Sequence, residues 1–488
     1  MTRTSRRTFL EQSLLAAAAA SAPVAPALAI PGRKRSPNDR IQVGVVGIRG
    51  RGRAHIGAFK NSPDSEVVAI CDPDEGIIGP AQKSVPDAKY YRDLREMLAD
   101  DSIDAIAIAT PNHWHSLATI WGLQAGKHVY VEKPLSHNVF EGRQAVNAAR
   151  AAGKIVQHGT QARSQPATRD AIEWMQGGGL GEVKLAYGLC YKRRGSIGKV
   201  DGPQDPPATC DYDLWTGPAP LVPLQRKNLH YDWHWVFDTG NGDVGNQGIH
   251  QMDLARWALG QDKLPRHTLS IGGRVGYDDD GNTPNTQIVF HEFEQGPPLL
   301  FEVRGLPRDK ESQKKGWGRN MDNYKGARIG VIVHCEGGYL RIPNYTSAIA
   351  VDRDGKELKK FAGSTNHFQN FVDAVRSRRT EDLNADIREG HVSSAMCHMG
   401  NVSHLLGRTH SKQELDAMAG KNAWTAEAWE RMHGHLVKNG VDVDTVAGGV
   451  RMGPRLTMDP DTERFADAES NALLARDYRQ GFEVPESV

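Results

Sequence analysis

The sequence lacks the features of metal-binding, disulfide-stabilised, nucleic-acid-binding and membrane-spanning proteins. Its five cysteines are scattered, odd in number and without a C-x-x-C or Cys/His spacing, which argues against a zinc site or a disulfide framework. Lysine and arginine number 60 and aspartate and glutamate 59, so the net charge of +1 favours neither nucleic acid nor an anionic membrane as a partner. No apolar run is long enough to span a membrane. The 488 residues, 39% of them hydrophobic, suffice for two or three globular domains.

The N-terminus has the pattern of an export signal. The pair Arg6-Arg7 precedes an alanine-rich apolar run over 14–22, and Ala27-Leu28-Ala29 fits a small-x-small cleavage site. We therefore predict a twin-arginine signal peptide over 1–29, a polar linker over 30–39, and a periplasmic or extracellular destination. The alternative is a disordered leader rich in alanine and proline.

The rest of the chain divides by its pattern of apolar runs. Between 40 and 160, apolar runs at 41–46, 67–71, 103–109, 127–131 and 155–157 alternate with helix-like stretches, which predicts a doubly wound parallel sheet. Between 161 and 410, strands cluster without intervening helices, which predicts a second, α+β domain with a mostly antiparallel sheet. Residues 411–488 are expected to form a helical extension, with Trp424 and Trp429 in a helix pair.

A glycine-rich turn follows the first apolar run and predicts a dinucleotide site. Gly47, Gly50 and Gly52 would let the backbone approach a pyrophosphate, and the next helix would offer its N–H groups. Asp72 ends the following run, where a ribose-binding acid is expected. The neighbours Ile48, Arg49 and Arg51 join the predicted cofactor site, although Arg49 occupies the place of the middle glycine. The alternative is a glycine loop that only packs a helix on a strand.

Two polar segments follow strand ends, where open parallel sheets bind ligands. The first is Thr110-Pro111-Asn112 with His115, which we predict to contact the nicotinamide half of a cofactor; His115 could otherwise cap its helix. The second is Glu132-Lys133, where a lysine amine would act as an acid or base on a substrate hydroxyl. The alternative for Lys133 is a surface lysine paired with Glu132.

Two further segments supply candidate substrate residues. In Asn246–Asp253, a helix starting near Gly248 would set His250 and Asp253 on adjacent turns facing one cleft, and histidine suits proton transfer. A histidine satisfied in the core is the alternative. Upstream, Tyr231, Trp233 and His234 form a polar aromatic cluster that could pack on a sugar face or belong to the core.

These motifs together resemble the Gfo/Idh/MocA oxidoreductase family. The resemblance covers roughly 40–410 and rests on GVVGIRGRGRAH, CDPD, TPNHWH, EKP, DYDLWTGPAP and NQGIHQMD. It implies a Rossmann domain, a substrate domain with a large open sheet through which copies associate, and tightly held NAD(P). It also implies Lys133 and His250 as an acid/base pair acting on a sugar or cyclic polyol. The substrate-binding candidates are Tyr191, Lys192, Tyr231, Trp233, His234, Asn246 and Asp253.

Three functions are compatible with these residues. The first is an exported oxidoreductase that prefers NAD, because Asp72 would repel the 2′-phosphate of NADP; Arg49 and Arg51 keep NADP as the alternative. The second is a glycoside hydrolase that uses NAD transiently, as some exported relatives do. The third is a non-catalytic sugar-binding protein, against which the presence of Lys133, His250 and Asp72 argues. Asn246 stands where many family members have an aspartate, which puts the usual proton relay in doubt.

Overall fold

A computed structural model describes residues 40–314, 320–446 and 449–488. The predicted signal peptide (1–29) and linker (30–39) lie outside the described residues. No helix in the described ranges is long and apolar enough to cross a membrane.

The N-terminal part is a six-stranded, wholly parallel sheet in the order β3-β2-β1-β4-β5-β6. Its strands are β1 (Ile41–Val46), β2 (Ser65–Cys71), β3 (Lys89–Tyr91), β4 (Ala105–Ile108), β5 (His128–Val131) and β6 (Val156–His158). The central strands β1, β4 and β5 are apolar and almost wholly buried, as expected for a parallel sheet covered on both faces. The predicted doubly wound sheet is confirmed. Only β3 is not predicted, because its three residues are mostly polar or aromatic.

Helices surround both sheets. In chain order the α-helices of the described ranges are α1 (Arg51–Lys60), α2 (Gly79–Ser84), α3 (Leu94–Leu98), α4 (His115–Gln124), α5 (Val139–Ala152), α6 (Pro166–Trp174), α7 (Tyr212–Thr216), α8 (Gly242–Asn246), α9 (Gly248–Ala258), α10 (Lys310–Lys314), α11 (His367–Ser377), α12 (Ile387–Leu405), α13 (Lys412–Ala419), α14 (Ala423–Lys438) and α15 (Ala468–Ala472). Helix α5 has both ends capped: the Asn138 side chain accepts from the Glu141 N–H, and Gly153 ends the helix in the left-handed conformation.

The second sheet has twelve strands and is mostly antiparallel; β7 and β10 run parallel. Its strands are β7 (Val183–Tyr191), β8 (His267–Gly273), β9 (Thr286–Glu292), β10 (Leu299–Arg304), β11 (Ile329–Cys335), β12 (Gly338–Asn344), β13 (Ser347–Asp352), β14 (Glu357–Ala362), β15 (Arg408–Thr409), β16 (Arg451–Met452), β17 (Leu456–Asp459) and β18 (Arg464–Phe465). The predicted fold class is thereby confirmed. Strands β12 and β13 form a hairpin that turns at Tyr345 and Thr346.

Long helices tie the two sheets together. Helices α9 and α12 bury apolar side chains against β7, β10 and β11 in one shared core. Helix α12 begins in the Rossmann core with Ile387 and continues into the core of the second sheet with Ala395 and Met399. Helix α11 packs Phe371 on Phe59 of the Rossmann domain, so this domain recruits residues from far along the chain.

The C-terminal segment differs from the predicted helical extension. Residues 451–465 add strands β16 to β18 to the structure, and the tail packs Phe482 and Val484 into the Rossmann core. Helices α13 and α14 lie on the face of the large sheet, with Trp429 and Leu415 against strand side chains such as Phe290. Association of copies through this face was expected from the family resemblance. Helices α13 and α14 of the same chain cover this face along β7, β9, β10 and β11. A second copy therefore cannot pack directly on those strands as they stand.

Candidate functional site

One cavity of about 840 Å³ lies at the carboxyl ends of the parallel strands. The predicted site residues that line it are Gly47, Arg49, Gly50, Arg51, Asp72, Thr110, Pro111, Asn112, His115, Glu132, Lys133, Lys192, Tyr231, Trp233, His234, Asn246 and His250. The Rossmann-domain residues of this set lie in the loops after β1, β2, β4 and β5, as the strand-end rule predicts. The other part comes from the segment after β7, the region 230–250 and the β12–β13 turn.

The glycine turn has the close approaches that its composition predicts. Gly47 has a φ of 77°, and a Cβ there would lie 2.7 Å from the Thr110 nitrogen. Gly50, with a φ of 52°, is the N-cap residue of α1, and no side chain caps this helix end. A Cβ on Gly50 would meet nothing within 4 Å. Uncapped helix N–H groups beside open space suit a pyrophosphate. Thus the turn fits a dinucleotide although Arg49 interrupts the glycine pattern.

Two residues predicted to contact the cofactor do not line the cavity. The Ile48 side chain is fully buried in the Rossmann core, and only its N–H points toward Asp72. A Cβ on Gly52 would lie 1.8 Å from the Gly47 oxygen. Gly52 therefore allows the first turn of α1 to pack closely on the glycine turn. The prediction is therefore wrong for the Ile48 side chain and for Gly52 as a cavity residue.

Asp72 is held rigidly at the end of β2. Its two carboxylate oxygens accept backbone N–H groups from Ile48 and Asp74, each at 3.1 Å. Burial raises its pKa to about 6, against the opposing effect of these hydrogen bonds. The carboxylate lines the cavity and keeps lone pairs that a ribose hydroxyl could use.

His115 joins the two polar turns. Its Nδ1 lies 2.5 Å from the Pro134 carbonyl oxygen and its Nε2 2.9 Å from that of Thr110. Burial lowers the pKa of this imidazole. His115 thus fixes the turn that follows β4 against the turn that carries Lys133.

Glu132 is paired with groups other than the Lys133 amine. Its carboxylate accepts from Arg51 Nε at 2.6 Å and Gln161 Nε2 at 3.0 Å, and lies 3.2 Å from His55 Nε2. Burial works to raise the pKa of Glu132, but Arg51 and His55 outweigh it and hold the pKa well below its usual range. The surface ion pair considered for Lys133 is therefore absent, and Arg51 points toward Glu132.

Lys133 extends into the cavity and reaches the second domain. Its Nζ donates to the Asn246 carbonyl oxygen at 2.7 Å and lies 3.2 Å from Asn246 Oδ1. Burial lowers its pKa to about 8. An amine with this pKa exchanges a proton readily near neutral pH, as an acid/base group must.

His250 lies in the first turn of α9 and borders the same cavity. Its ring centroid is 5.2 Å from that of Tyr345, and its buried Nδ1 has no hydrogen-bond partner among the described residues. Burial lowers its pKa to about 3, so the imidazole is neutral at physiological pH. Its place in the lining of the cavity favours a ligand-facing role over that of a core histidine.

Two predicted substrate residues are turned away from the cavity. Asp253 is buried and its carboxylate accepts from Arg163 at 2.9–3.0 Å and from Ser393 Oγ at 2.7 Å. Tyr191 is also buried and donates to Glu302 at 2.6 Å. Lys192, the residue after the end of β7, lines the cavity, whereas Tyr191 packs in the core between the large sheet and helices α13 and α14. The predictions for Asp253 and Tyr191 are wrong.

The aromatic cluster forms part of the cavity wall. Tyr231 is 54% exposed and has a φ of 72°, a backbone conformation that is costly for a bulky residue. The rings of Trp233 and His234 stack with centroids 3.6 Å apart. Strain of this kind is frequent at ligand sites.

Among the cavity residues that the sequence reasoning misses are Gln161, Gln247 and Tyr345. Gln161 follows β6, so the strand-end rule applied to the sixth strand would have found it. Gln247 stands inside the quoted NQGIHQMD motif. Tyr345 lies in the β12–β13 turn, and no local pattern announces that this hairpin reaches the site.

Comparison with known proteins identifies the two domains. The model for the oxidoreductase family's NAD-binding Rossmann fold matches residues 41–160, and the model for its C-terminal α/β domain matches 183–307. Together they match just over half of the chain. The N-terminal domain is therefore an NAD-binding Rossmann domain, and its glycine turn and Asp72 fit that cofactor.

Similar curated proteins match the chain over short stretches. A glycosyl hydrolase family 109 protein from Shewanella sp. (strain W3-18-1) is 35% identical over 120 residues, 23% of this chain and 26% of that protein. Glycosyl hydrolase family 109 protein 2 from Shewanella sp. (strain ANA-3) is 29% identical over 160 residues, 28% of this chain and 35% of that protein. The chain thus matches about a quarter to a third of the length of these relatives.

Solved structures share the fold over most of their length. The WlbA dehydrogenase from Bordetella pertussis, in complex with NADH and UDP-GlcNAcA, has a TM-score of 0.54 at 19% identity, with 72% of this chain and 93% of that chain covered. Myo-inositol dehydrogenase from Lactobacillus casei, in complex with NAD(H) and myo-inositol, has a TM-score of 0.51 at 18% identity, covering 74% and 94%. From its two matched domains, the chain belongs to the Gfo/Idh/MocA family of NAD-binding oxidoreductases.

Proposed function

We propose that the protein transfers a hydride between a hydroxyl-bearing carbon of a sugar or cyclic polyol and the nicotinamide of NAD. The observation that carries this proposal is that Lys133 and His250, from different domains, border the same cavity as the glycine turn. When bound, NAD supplies a hydride acceptor at the nicotinamide ring. The chain's own residues then have to bind the sugar and remove the hydroxyl proton.

Lys133 is the candidate proton acceptor during oxidation. Its pKa of about 8 leaves a useful neutral fraction near pH 7, and Asn246 holds its amine without competing for the proton. Neutral His250 lines the same cavity and can hydrogen-bond the same hydroxyl. In the reverse direction the protonated Lys133 would return the proton to the carbonyl oxygen.

The sugar itself would lie against the aromatic wall. Tyr231 and Trp233 offer ring faces at the cavity, and apolar ring faces suit the C–H face of a sugar. Asn246 and Gln247 offer amide groups for hydroxyls. A lining that combines ring faces with amide groups suits a carbohydrate better than a flat aromatic or a long apolar substrate.

The proposed cofactor preference is NAD over NADP. A buried Asp72 carboxylate at the end of β2 accepts from ribose hydroxyls and repels a 2′-phosphate. Arg51 could have bound the 2′-phosphate of NADP, but its guanidinium group forms an ion pair with Glu132 instead. Arg49 lines the cavity beside the turn.

A second candidate is an NAD-dependent glycoside hydrolase, favoured by the relatives named glycosyl hydrolase family 109 proteins. In that reaction the sugar is oxidised, a neighbouring proton leaves, and the aglycone is eliminated to give a double bond conjugated with the carbonyl. Water then adds to this double bond, and the hydride returns to the carbonyl carbon. Both candidates begin with the same hydride removal. A hydrolase turns over without added NAD and releases aglycone, whereas a dehydrogenase consumes NAD or needs a second substrate.

The proposed location is outside the cytoplasm, after export through the twin-arginine route. The support is the Arg6-Arg7 pair, the short apolar run and the Ala27-Leu28-Ala29 segment. Export of folded protein would let the chain bind NAD in the cytoplasm before it leaves.

The test of the proposed function is turnover by Lys133→Met and His250→Ala with NAD still bound. Loss of a positioned acid/base group lowers the rate by about 10²–10⁴-fold. Because both serve one proton transfer, the double variant should lose less than the product of the two single effects. Near-full turnover by His250→Ala would contradict the pairing and make Tyr231 or His234 the next candidates.

A further inference from the structure

Lys192 lines the cavity, and no acidic side chain of the described residues forms an ion pair with it. Its Nζ donates to Gln247 Oε1 at 2.8 Å, and in the described part of the chain no carboxylate oxygen lies within 4.0 Å of it. Asp243 is the nearby acid, but Arg194 binds both of its oxygens at 2.7 and 2.8 Å. The charge of Asp243 is thereby neutralised, and that of Lys192 is left for a ligand.

The acids of the cavity lie on its other side. The acidic residues in its lining are Asp72, Asp93 and Glu132, all from the Rossmann domain. Asp72 is at the expected ribose position, and Glu132 is held by Arg51. The wall that carries Lys192 therefore presents positive charge and neutral hydrogen-bonding groups to the substrate.

Lys192 and the proton-transfer lysine hold neighbouring residues of one turn. Lys133 binds Asn246, and Lys192 binds the next residue, Gln247. Gln247 in turn donates to the Tyr345 hydroxyl at 3.3 Å, which fixes its amide. The two amines thus flank one short stretch of wall, so a group bound by Lys192 lies close to a hydroxyl bound by Lys133.

We propose that the site takes an anionic sugar whose carboxylate or phosphate pairs with Lys192, on the same sugar unit as the reacting hydroxyl. This inference rests on the proposed function and specifies its substrate class. A partly buried ammonium with one neutral partner gains more from an anion than from another neutral group, because charge-assisted hydrogen bonds are the stronger kind. Carboxylate and phosphate share this chemistry, and the two are separated by experiment.

The test compares neutral sugars with matched acids on the NAD-loaded protein. Glucose, galactose and mannose are each compared with their uronate and their 6-phosphate, and nicotinamide reduction is followed at about 340 nm. We expect kcat/KM for one acid series to exceed that for its neutral parents by about tenfold or more. The series that responds tells whether the anion is a carboxylate or a phosphate.

A variant pair assigns the effect to Lys192. Lys192→Gln should remove most of the preference for the acid, chiefly through KM. Lys184→Gln is the matched control, because Lys184 lies near the start of β7, the strand that Lys192 follows, is exposed and pairs with Glu182 outside the cavity. It should keep the preference.

The outcomes separate this inference from the function on which it rests. Turnover of neutral sugars with no gain for either acid, or an acid preference that survives in Lys192→Gln, would overturn the inference and leave the oxidoreductase function standing. Absence of nicotinamide reduction with every sugar of the panel would contradict both.

Discussion

Replacing Lys133 tests whether a buried amine sets the pH dependence of the reaction. Burial lowers the pKa of Lys133 from 10.5 to about 8. At pH 7 this makes the neutral fraction about 300-fold larger than that of an ordinary lysine. The neutral amine is the form that accepts a proton, so sugar oxidation should rise with pH and level off above about 8. Carbonyl reduction needs the protonated form and should fall over the same range.

Three variants probe this mechanism through the pH profile of kcat/KM. Lys133→Met should lower turnover by about 10²–10⁴-fold and abolish the inflection. Asn246→Asp would put a carboxylate where Oδ1 now lies 3.2 Å from Nζ, and should move the inflection up by about 1–3 pH units. Lys60→Met changes an exposed lysine of the same domain that donates to the Ser84 carbonyl, and should leave the profile unchanged.

A Lys133→Met protein with near-full turnover on a confirmed substrate would contradict the role proposed for Lys133. An unchanged inflection in Asn246→Asp would contradict it too, because a full charge this close to the titrating amine must shift its pKa. Bound NAD is measured in each variant, so that loss of cofactor is not mistaken for loss of the base.

Three further predictions concern cofactor choice, export and stability. Asp72→Ala should narrow the preference for NAD over NADP in titrations of the apo-protein, and tighter NADP binding by the unmodified chain would point to Arg49 as a phosphate clamp. Replacing Arg6 and Arg7 by lysine should leave the protein inside the cell, and normal export of that variant would exclude the twin-arginine route. Arg163→Met should lower the free energy of unfolding by about 3–5 kcal/mol, because Asp253 would lose its main partner. The exposed control Arg150→Met should cost less than about 1 kcal/mol in the same denaturant titration; equal losses would contradict the structural role of Asp253.

The cofactor side of the site could be predicted from the sequence because its signals are local. Gly47 and Asp72 directly follow an apolar run, Lys133 stands two residues after one, and parallel strands bring their carboxyl ends to one edge of the sheet. No distant residue has to be known to place them there. The alternation of strands and helices likewise needs only local patterns.

The substrate side was less predictable because its partners come from far along the chain. Helical spacing allowed Asp253 to face the cleft beside His250, but Arg163, ninety positions earlier, takes its carboxylate. Neighbouring residues of extended backbone point to opposite sides, so Tyr191 and Lys192 cannot both face the cavity. Which of them does so depends on which face of the sheet borders the cavity, and no local pattern shows that. Tyr345 reaches the site through a hairpin turn that no local pattern announces.

The proposed hydride transfer is tested by the absorbance of the purified, NAD-loaded protein at about 340 nm as sugars and glycosides are added. We predict that at least one of them produces the absorbance of reduced nicotinamide, and that Lys133→Met with bound NAD does not respond to it. Turnover of a sugar or glycoside by protein stripped of its nucleotide, at the rate of the loaded protein, would contradict the proposed hydride transfer.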